Sequence, residues 1–239
     1  MADTTNADEH DPIADFLVNL REVTRDLVHR TLGVERSPAS LDALVDGAYG
    51  IADLAMDRLA TMLPSDRPLD CGRQCSHCCK QALVMTDPAT ILHIAHQVTT
   101  RLDPMVLSAW GLRLATRARR PCALLEEEIC SVYGARPVIC RAYNAYDSAA
   151  CETGDLPNLR GTVADRGYPV PYAIAAAMAT GLAEGLDALG LHSNQVEMNA
   201  ALRIAMTTPD AAQRWLAGED VFSEARQGPV TPAPVKGEA

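Results

Sequence analysis

Four cysteines lie close together in the stretch Cys71-Gly-Arg-Gln-Cys75-Ser-His-Cys78-Cys79, and the chain holds 8 cysteines in 239 residues. Spacings of three and four residues would place sulfurs on one side of a helical turn. The adjacent Cys78 and Cys79 are too close in sequence for an unstrained disulfide. In a chain whose polar, acidic N-terminus does not resemble an export signal, such crowding is more typical of metal ligands than of disulfides. The stretch therefore predicts a metal centre.

A second group of cysteines follows in residues 121 to 155, a region that is dense in Cys, Pro, Gly and Tyr and lacks helical periodicity. This composition predicts irregular backbone wrapped around a ligand rather than around an apolar core. About forty residues separate the two groups. We nevertheless expect them to converge on one centre or on adjacent centres. The members of this second group are Cys122, Cys130, Cys140 and Cys151.

The combined pattern resembles the YkgJ-type cysteine-cluster family, whose members are described as zinc- or iron-chelating domains. Its motif, CxxxCxxCC followed by C-x-L-L and later by C-x-x-Y-x-x-R-P-x-x-C-R, is matched between residues ~70 and 151. A similar cluster occurs in flagellin lysine-N-methylases, so the resemblance implies metal binding firmly and any particular activity weakly. The segment Glu126-Glu-Glu128 departs from the family, since many relatives have a Gly-containing turn there. The matching positions are Cys71, Cys75, Cys78, Cys79, Cys122, Cys130, Tyr133, Arg136, Pro137, Cys140 and Arg141.

Two kinds of metal centre agree with the cysteines. Zinc takes four thiolates, so eight cysteines suffice for two closed tetrahedral sites. The spacing Cys71-x3-Cys75-x2-Cys78 is instead one that holds iron-sulfur cubanes in radical-SAM enzymes, although the strand-rich barrel of those enzymes is not indicated here. Because Cys78 and Cys79 cannot easily both ligate one mononuclear ion, we favour an iron-sulfur cluster slightly over zinc.

Several other side chains have a less direct relation to the metal. Arg136 and Arg141 are predicted to offset the negative charge of the thiolates as cofactor-binding neighbours, with simple surface charge as the alternative. Cys151 lies furthest from the other cysteines and is the weakest of the predicted ligands. His77 is expected beside the metal or in solvent rather than on the metal. The two histidines of the next helix, His93 and His96, are interpreted as ordinary helix residues.

Apolar residues at helical spacing predict a mainly α-helical protein with little β structure and an irregular cysteine-rich metal-binding centre. Helices are expected from Pro12 to Gly33, from Pro38 to Pro64, from Pro88, from Pro104, and again from Pro169 onward, with one beginning near Asn194. The organisation we predict is a helical extension (1–66), the cysteine-cluster region (67–160), C-terminal helices (161–225) and a disordered tail (226–239).

Charge and composition limit the partners. A net charge of -10 repels nucleic acid, because only Arg113, Arg117, Arg119 and Arg120 form a basic group. No apolar run of membrane-spanning length is present, so we expect a cytoplasmic protein that binds a metal ion or cluster and an unidentified protein partner, but no membrane. The first hypothesis is a metal-binding module with a redox or iron-related role. The alternative is a metal-dependent tailoring enzyme of the protein methylase type, for which no nucleotide fingerprint or catalytic arrangement stands out.

Overall fold

The computed structural model describes residues 11–72, 74–116, 121–153 and 167–226. Helices dominate this part of the chain, and its strands are two residues long each. This confirms the predicted mainly helical fold. The predicted tail beyond Arg226 and the arginines at 117, 119 and 120 lie outside the described residues. In chain order the elements are α1 (Pro12–Thr31), α2 (Pro38–Met62), α3 (His77–Gln81), β1 (Met85–Thr86), α4 (Pro88–Arg101), α5 (Pro104–Thr116), β2 (Leu125–Glu126), β3 (Ile129–Cys130), α6 (Val138–Ala142), α7 (Ser148–Glu152), α8 (Val170–Ala188), β4 (Val196–Glu197), α9 (Met198–Thr207) and α10 (Ala211–Leu216).

Capping residues explain where the longer helices begin. Asp11, Ser37 and Asp87 accept hydrogen bonds from backbone N–H groups in the first turns of α1, α2 and α4, and a proline occupies the first turn of each helix. The helix expected from Asn194 begins only at Met198. Val196 and Glu197 pair instead with Thr86 and Met85 as a two-residue antiparallel ladder.

Helices α1, α2 and α8 pack against one another and form one layer. Contact is closest between α1 and α8, where two glycines of α8 face the backbone and side chains of α1. A Cβ atom on Gly181 would lie 2.2 Å from the carbonyl oxygen of Arg21, and one on Gly185 would lie 2.7 Å from Cβ of Val28. The helices can therefore approach this closely only because these positions lack side chains.

A second set of helices packs on the other part of the core. Helix α9 contacts α4 and α5, and α2 contacts α4. Trp110, Trp215 and Leu124 are fully buried members of this larger apolar cluster. In the part of the chain that the structure describes, no helix has the length and apolar character needed to cross a membrane.

The cysteine region lies against this core and takes part in it. The segment after Pro121 contributes Ala123, Leu124, Leu125 and Val132 to the buried apolar cluster. The expectation that this segment wraps a ligand rather than an apolar core is therefore wrong for its first half. Its apolar residues are few in number, but Leu124 and Leu125 are consecutive and both point away from solvent.

Candidate metal centre

The first cysteine group is only partly helical. Cys78 and Cys79 lie in the short helix α3, whereas Cys75 precedes it and follows a turn in which the Cys75 N–H donates to the carbonyl of Gly72 at 3.1 Å. Gln74 has a φ of 77° in this turn. The single helical turn predicted for Cys75, Cys78 and Cys79 is thus replaced by a turn followed by a helix.

The second group is distributed over a hairpin and two short helices. Cys130 ends the β2–β3 hairpin, Cys140 lies in α6 and Cys151 lies in α7. Cys122 precedes the hairpin, and its N–H donates to the carbonyl of Cys79 at 2.8 Å. This backbone hydrogen bond joins the two cysteine groups directly.

Six of the eight cysteines line one cavity of about 170 Å³. Both groups contribute to it, although they are separated in sequence. Tyr133, Arg136, Tyr143 and Met198 also line the cavity. The cysteines are Cys75, Cys78, Cys79, Cys122, Cys130 and Cys140.

Cys71 and Cys151 lie beside this cavity rather than in its wall. The Cys71 sulfur accepts a hydrogen bond from the Ala145 N–H at 3.1 Å, and Cys71 interacts electrostatically with Cys75 and Cys78. Cys151 is buried and interacts electrostatically with Cys71, Cys75 and Cys78, because α7 packs on α3. Cys151, the weakest of the ligands predicted from the sequence, therefore lies near the first cysteine group.

Crowding and burial of the thiols raise the pKa values of Cys78 in the first group and Cys140 in the second. The Cys78 side chain forms a hydrogen bond with that of Cys79, and this contact, followed by burial, raises the pKa of Cys78 far above its ordinary value. Burial also raises the pKa of Cys140, and the thiols of Cys122, Cys78 and Cys130 add to that shift. Crowded thiols resist ionisation because each thiolate would repel its neighbours.

The pKa values of Cys71 and Cys151, the two cysteines beside the cavity, are also raised. Loss of solvent around the sulfur raises the pKa of Cys71 to about 11, although the Ala145 N–H opposes this shift. Burial raises the pKa of Cys151 to about 11, and the nearby thiols of Cys71, Cys75 and Cys78 add to it. A bound cation would reverse this preference, because it stabilises thiolates in place of thiols.

The thiols are gathered around the cavity but not closed on a single point. Among the described residues, no three His, Cys, Asp or Glu side chains are arranged so that they could hold one metal ion. The donor set suits a soft metal, since thiolates select zinc, copper(I) and iron-sulfur clusters.

Arg136 and Arg141, which the sequence placed in the same role, have different surroundings. Arg136 lines the cavity, stacks on the ring of Tyr133 at 3.6 Å and opposes the upward pKa shifts of Cys130 and Cys140. The positive charge of Arg136 therefore favours the thiolate forms of Cys130 and Cys140.

Arg141 makes structural contacts instead. Its Nη1 pairs with Asp53 of α2 at 3.0 Å, its Nη2 donates to the Gly134 carbonyl at 2.6 Å, and its Nε donates to the Arg136 carbonyl at 3.2 Å. The guanidinium also lies over the ring of Tyr49. Arg141 thus ties the loop that carries Arg136 to helix α2.

The histidines lie apart from the cavity wall. His93 and His96 both place Nδ1 against the carboxylate of Asp42, at 2.7 and 2.6 Å, and join α4 to α2. They are more than ordinary helix residues, because this shared carboxylate fixes the contact between the two helices. His77 lies in α3 and acts electrostatically on Glu128.

Sequence reasoning missed three polar residues that position the cysteine segments. Buried Asn199 accepts from the Ala123 N–H at 2.9 Å and donates to the Pro121 carbonyl at 3.0 Å, so it holds the backbone on both sides of Cys122. Asp70 accepts from the N–H and the hydroxyl of Ser148, and these bonds lower the pKa of Asp70. This contact joins the segment before the first group to α7.

Glu128 is the third of these residues. It accepts a hydrogen bond from the Ser76 hydroxyl and pairs with Lys80 at 2.7 Å, and these contacts lower its pKa. The hairpin that carries Cys130 is thereby fastened to α3. The acids beside each cysteine group were the signals available in the sequence, but the partners of all three residues are distant in sequence.

The segment Glu126-Glu-Glu128, which departs from the family pattern, lies in the β2–β3 hairpin. Its two turn residues, Glu127 and Glu128, have φ values of 44° and 67°. A two-residue hairpin turn with positive φ at both central positions is the kind that favours glycine or asparagine. The pairing of Leu125 with Cys130 is nevertheless formed.

The cysteine region also matches a known protein family. Residues 70–158 match the family model CxxCxxCC, described as "Putative zinc- or iron-chelating domain". The match takes in both cysteine groups and a little more than a third of the chain, and it confirms the resemblance inferred from the motif. Neither the curated proteins nor the solved structures include a match to this chain. The family supports metal binding and leaves both zinc and iron within its description.

Proposed function

We propose that this chain is an iron-sulfur protein with a redox or iron-related role. The observation that supports it is the set of six cysteines around one cavity of about 170 Å³. The family description, which names zinc or iron, supports metal binding in general. The proposed ligands are Cys75, Cys78, Cys79, Cys122, Cys130 and Cys140.

The size of the cavity favours a cluster of several atoms. A single zinc ion draws four sulfurs to about 2.3 Å, and no three of the described donor side chains are arranged for one ion. A cavity needs only about 10–15 Å³ to hold one water molecule. The cavity that these cysteines share with other residues is therefore larger than one ion requires and leaves room for bridging sulfides.

The surroundings suit a centre that changes its charge. An iron-sulfur cluster would supply one-electron redox chemistry, at a potential set by net charge, hydrogen bonds to sulfur and access of solvent. Arg136 provides a positive charge at the cavity wall. Val84, Leu124 and Met198 contribute buried apolar surface to the lining, which also includes the acidic Glu128. Cys71 and Cys151 lie near the other cysteines of the first group but do not line the cavity.

Purification of the protein without oxygen tests the proposal. We expect a brown protein with visible absorption, iron, and acid-labile sulfide in stoichiometric amounts. Cys140→Ser should remove most of this iron and sulfide, because Cys140 lines the cavity. Cys151→Ser is the matched control and should retain most of it, because Cys151 lies beside the cavity. A colourless protein that contains stoichiometric zinc and no sulfide would overturn the iron-sulfur proposal and leave a zinc centre in its place.

A further inference from the structure

A second and larger cavity, of about 660 Å³, adjoins the cysteine centre. Val138 and Ile139 of α6 line it, whereas the next residue, Cys140, lines the thiol cavity. Tyr143 lines both cavities. The two spaces are therefore separated by a single short helix and share one side chain.

The walls of this larger cavity are mainly apolar. Helix α8 lines it with small and medium-sized side chains at helical spacing, among them Ala175, Ala179, Leu182 and Ala183. The alanines leave room that larger residues would fill. A volume of about 660 Å³ lies within the range of pockets that bind drug-sized molecules, about 300–1,000 Å³.

The polar part of the lining comes from the start of α4 and from residues 193–195. Asp87 is the one charged residue among the described side chains that line this cavity. Its Oδ1 accepts from the Thr90 N–H at 2.8 Å, and its Oδ2 accepts from the Thr90 hydroxyl at 2.7 Å. Within the described ranges no basic side chain forms an ion pair with Asp87.

We propose that this cavity binds an apolar primary amine, with its ammonium group at Asp87 and its hydrocarbon body along α8. The Oδ2 atom of this half-buried carboxylate accepts from the Thr86 hydroxyl at 3.4 Å as well as from Thr90. Among the described residues Oδ1 accepts only from the Thr90 N–H, so it can accept a further hydrogen bond. An ammonium group supplies three donors. A carboxylate or phosphate ligand is disfavoured, because Asp87 would repel it and no described basic side chain lines the cavity. This proposal goes beyond the metal-binding function and does not depend on it.

Isothermal titration calorimetry with decylamine, decan-1-ol and decanoate, kept below the concentrations at which they aggregate, tests the proposal. We expect decylamine to bind with a stoichiometry of one, about tenfold or more tighter than decanoate, because hydrogen bonds between charged partners are worth more than tenfold in affinity. Decan-1-ol should bind with intermediate affinity. Iron, zinc and sulfide are measured on the same sample, so a failure of decylamine binding is distinguished from a failure of the iron-sulfur proposal.

Two variants locate the binding site. Ala179→Phe places a ring in the cavity and should weaken decylamine binding at least tenfold, whereas Ala188→Phe, at the exposed end of the same helix, should leave it unchanged. Asp87→Asn keeps an oxygen that can cap α4 and should weaken decylamine binding about tenfold while leaving decan-1-ol binding unchanged. Circular dichroism would confirm that each variant is folded.

Several outcomes would overturn the proposal. Equal affinity for decylamine and decanoate would show that Asp87 does not bind the ammonium group. Unchanged decylamine affinity in Asp87→Asn would show the same. A folded Ala179→Phe variant that binds decylamine as the unmodified chain does would place the ligand elsewhere. If Ala179→Phe does not fold, the Asp87→Asn result decides alone.

Discussion

Helices α1 and α8 are held together by close contact of backbone and apolar side chains, whereas the cysteine centre combines apolar contacts of Leu124 and Leu125 with hydrogen bonds from a few polar residues. In the helical layer, Gly181 and Gly185 allow the two helices to touch along their length. In the centre, Asn199, Asp70 and Glu128 each fasten one cysteine segment to another part of the chain. We therefore expect the centre to depend on its ligand more than the helical layer does.

Removal of metal should give the largest difference between the two regions. We expect chelation to abolish the slow hydrogen exchange of residues 121–151 while α1 and α2 keep theirs, because the metal–thiolate bonds contribute folding free energy that protonated thiols do not replace. Hydrogen exchange measured by mass spectrometry checks this. Equal loss of protection in both regions, or loss in neither, would contradict it.

Replacement of Arg136 and Arg141 tests whether one acts on the metal centre and the other on the stability of the fold. Arg136→Gln should reduce metal retention about 10- to 100-fold, since the thiols lose a positive neighbour, and Arg136→Lys should restore part of it. Arg141→Gln should instead lower the free energy of unfolding by about 1–2 kcal/mol, because it removes the contacts with Asp53 and Gly134. Metal content and denaturant unfolding of the three variants separate these roles. Identical behaviour of Arg136→Gln and Arg141→Gln would show that the two residues act alike.

A single methyl group should test the close contact of the helical layer. Gly181→Ala should lower the free energy of unfolding by about 2 kcal/mol, because its Cβ would meet the Arg21 carbonyl and force α1 and α8 apart. Gly50→Ala is the matched control in α2. No atom lies within 4 Å of its added Cβ, so helix propensity should raise stability by about 0.5–1 kcal/mol.

Metal content should stay unchanged in both glycine variants, because neither position contacts the cysteines. Denaturant unfolding and elemental analysis measure the two effects. Loss of metal in Gly181→Ala would show that the helical layer and the cysteine centre are not independent. A Gly181→Ala variant as stable as Gly50→Ala would contradict the close contact of α1 and α8.

The pH dependence of protein that has been stripped of metal tests the crowded thiols. The pKa of Cys151 in the folded chain is raised to about 11, above the ordinary thiol value of 9.0. A thiol with a raised folded pKa stabilises the fold below its ordinary pKa, and this contribution is lost as pH rises towards 11. We expect a loss of about 1 kcal/mol between pH 9 and 11, which Cys151→Ser should reduce. Thermal unfolding across that pH range measures it, and an identical loss in Cys151→Ser would contradict it.

The smallest effect is expected at the hairpin turn. Glu127 is exposed and has a φ of 44°, so Glu127→Gly should raise the free energy of unfolding by about 0.5–1 kcal/mol by relieving the left-handed backbone. Glu128→Gly relieves similar backbone strain but loses the contacts with Ser76 and Lys80. It should therefore be less stable than Glu127→Gly, and denaturant unfolding of the pair checks the order. Equal stability would mean that the Glu128 contacts contribute nothing.

Much of the helical scaffold could be predicted from local signals. The Ser37-Pro38 and Asp87-Pro88 pairs predicted the starts of α2 and α4 correctly, because a cap and a first-turn proline act within one turn of chain. The start of α9 was predicted four residues early. Pairing of Val196 with Thr86 determines that boundary, and this partner is distant in sequence.

The sequence by itself determined the helical class and the composition of the thiol set, since periodicity, caps and cysteine spacing are properties of short stretches. The tertiary structure decided which cysteines share a wall, because that depends on how α3, α6 and α7 pack. It also separated Arg136 from Arg141, which follow the same motif but face different neighbours. The larger cavity beside α6 has no signal in the sequence, because its shape arises only where α4, α6 and α8 come together and leave space between their side chains.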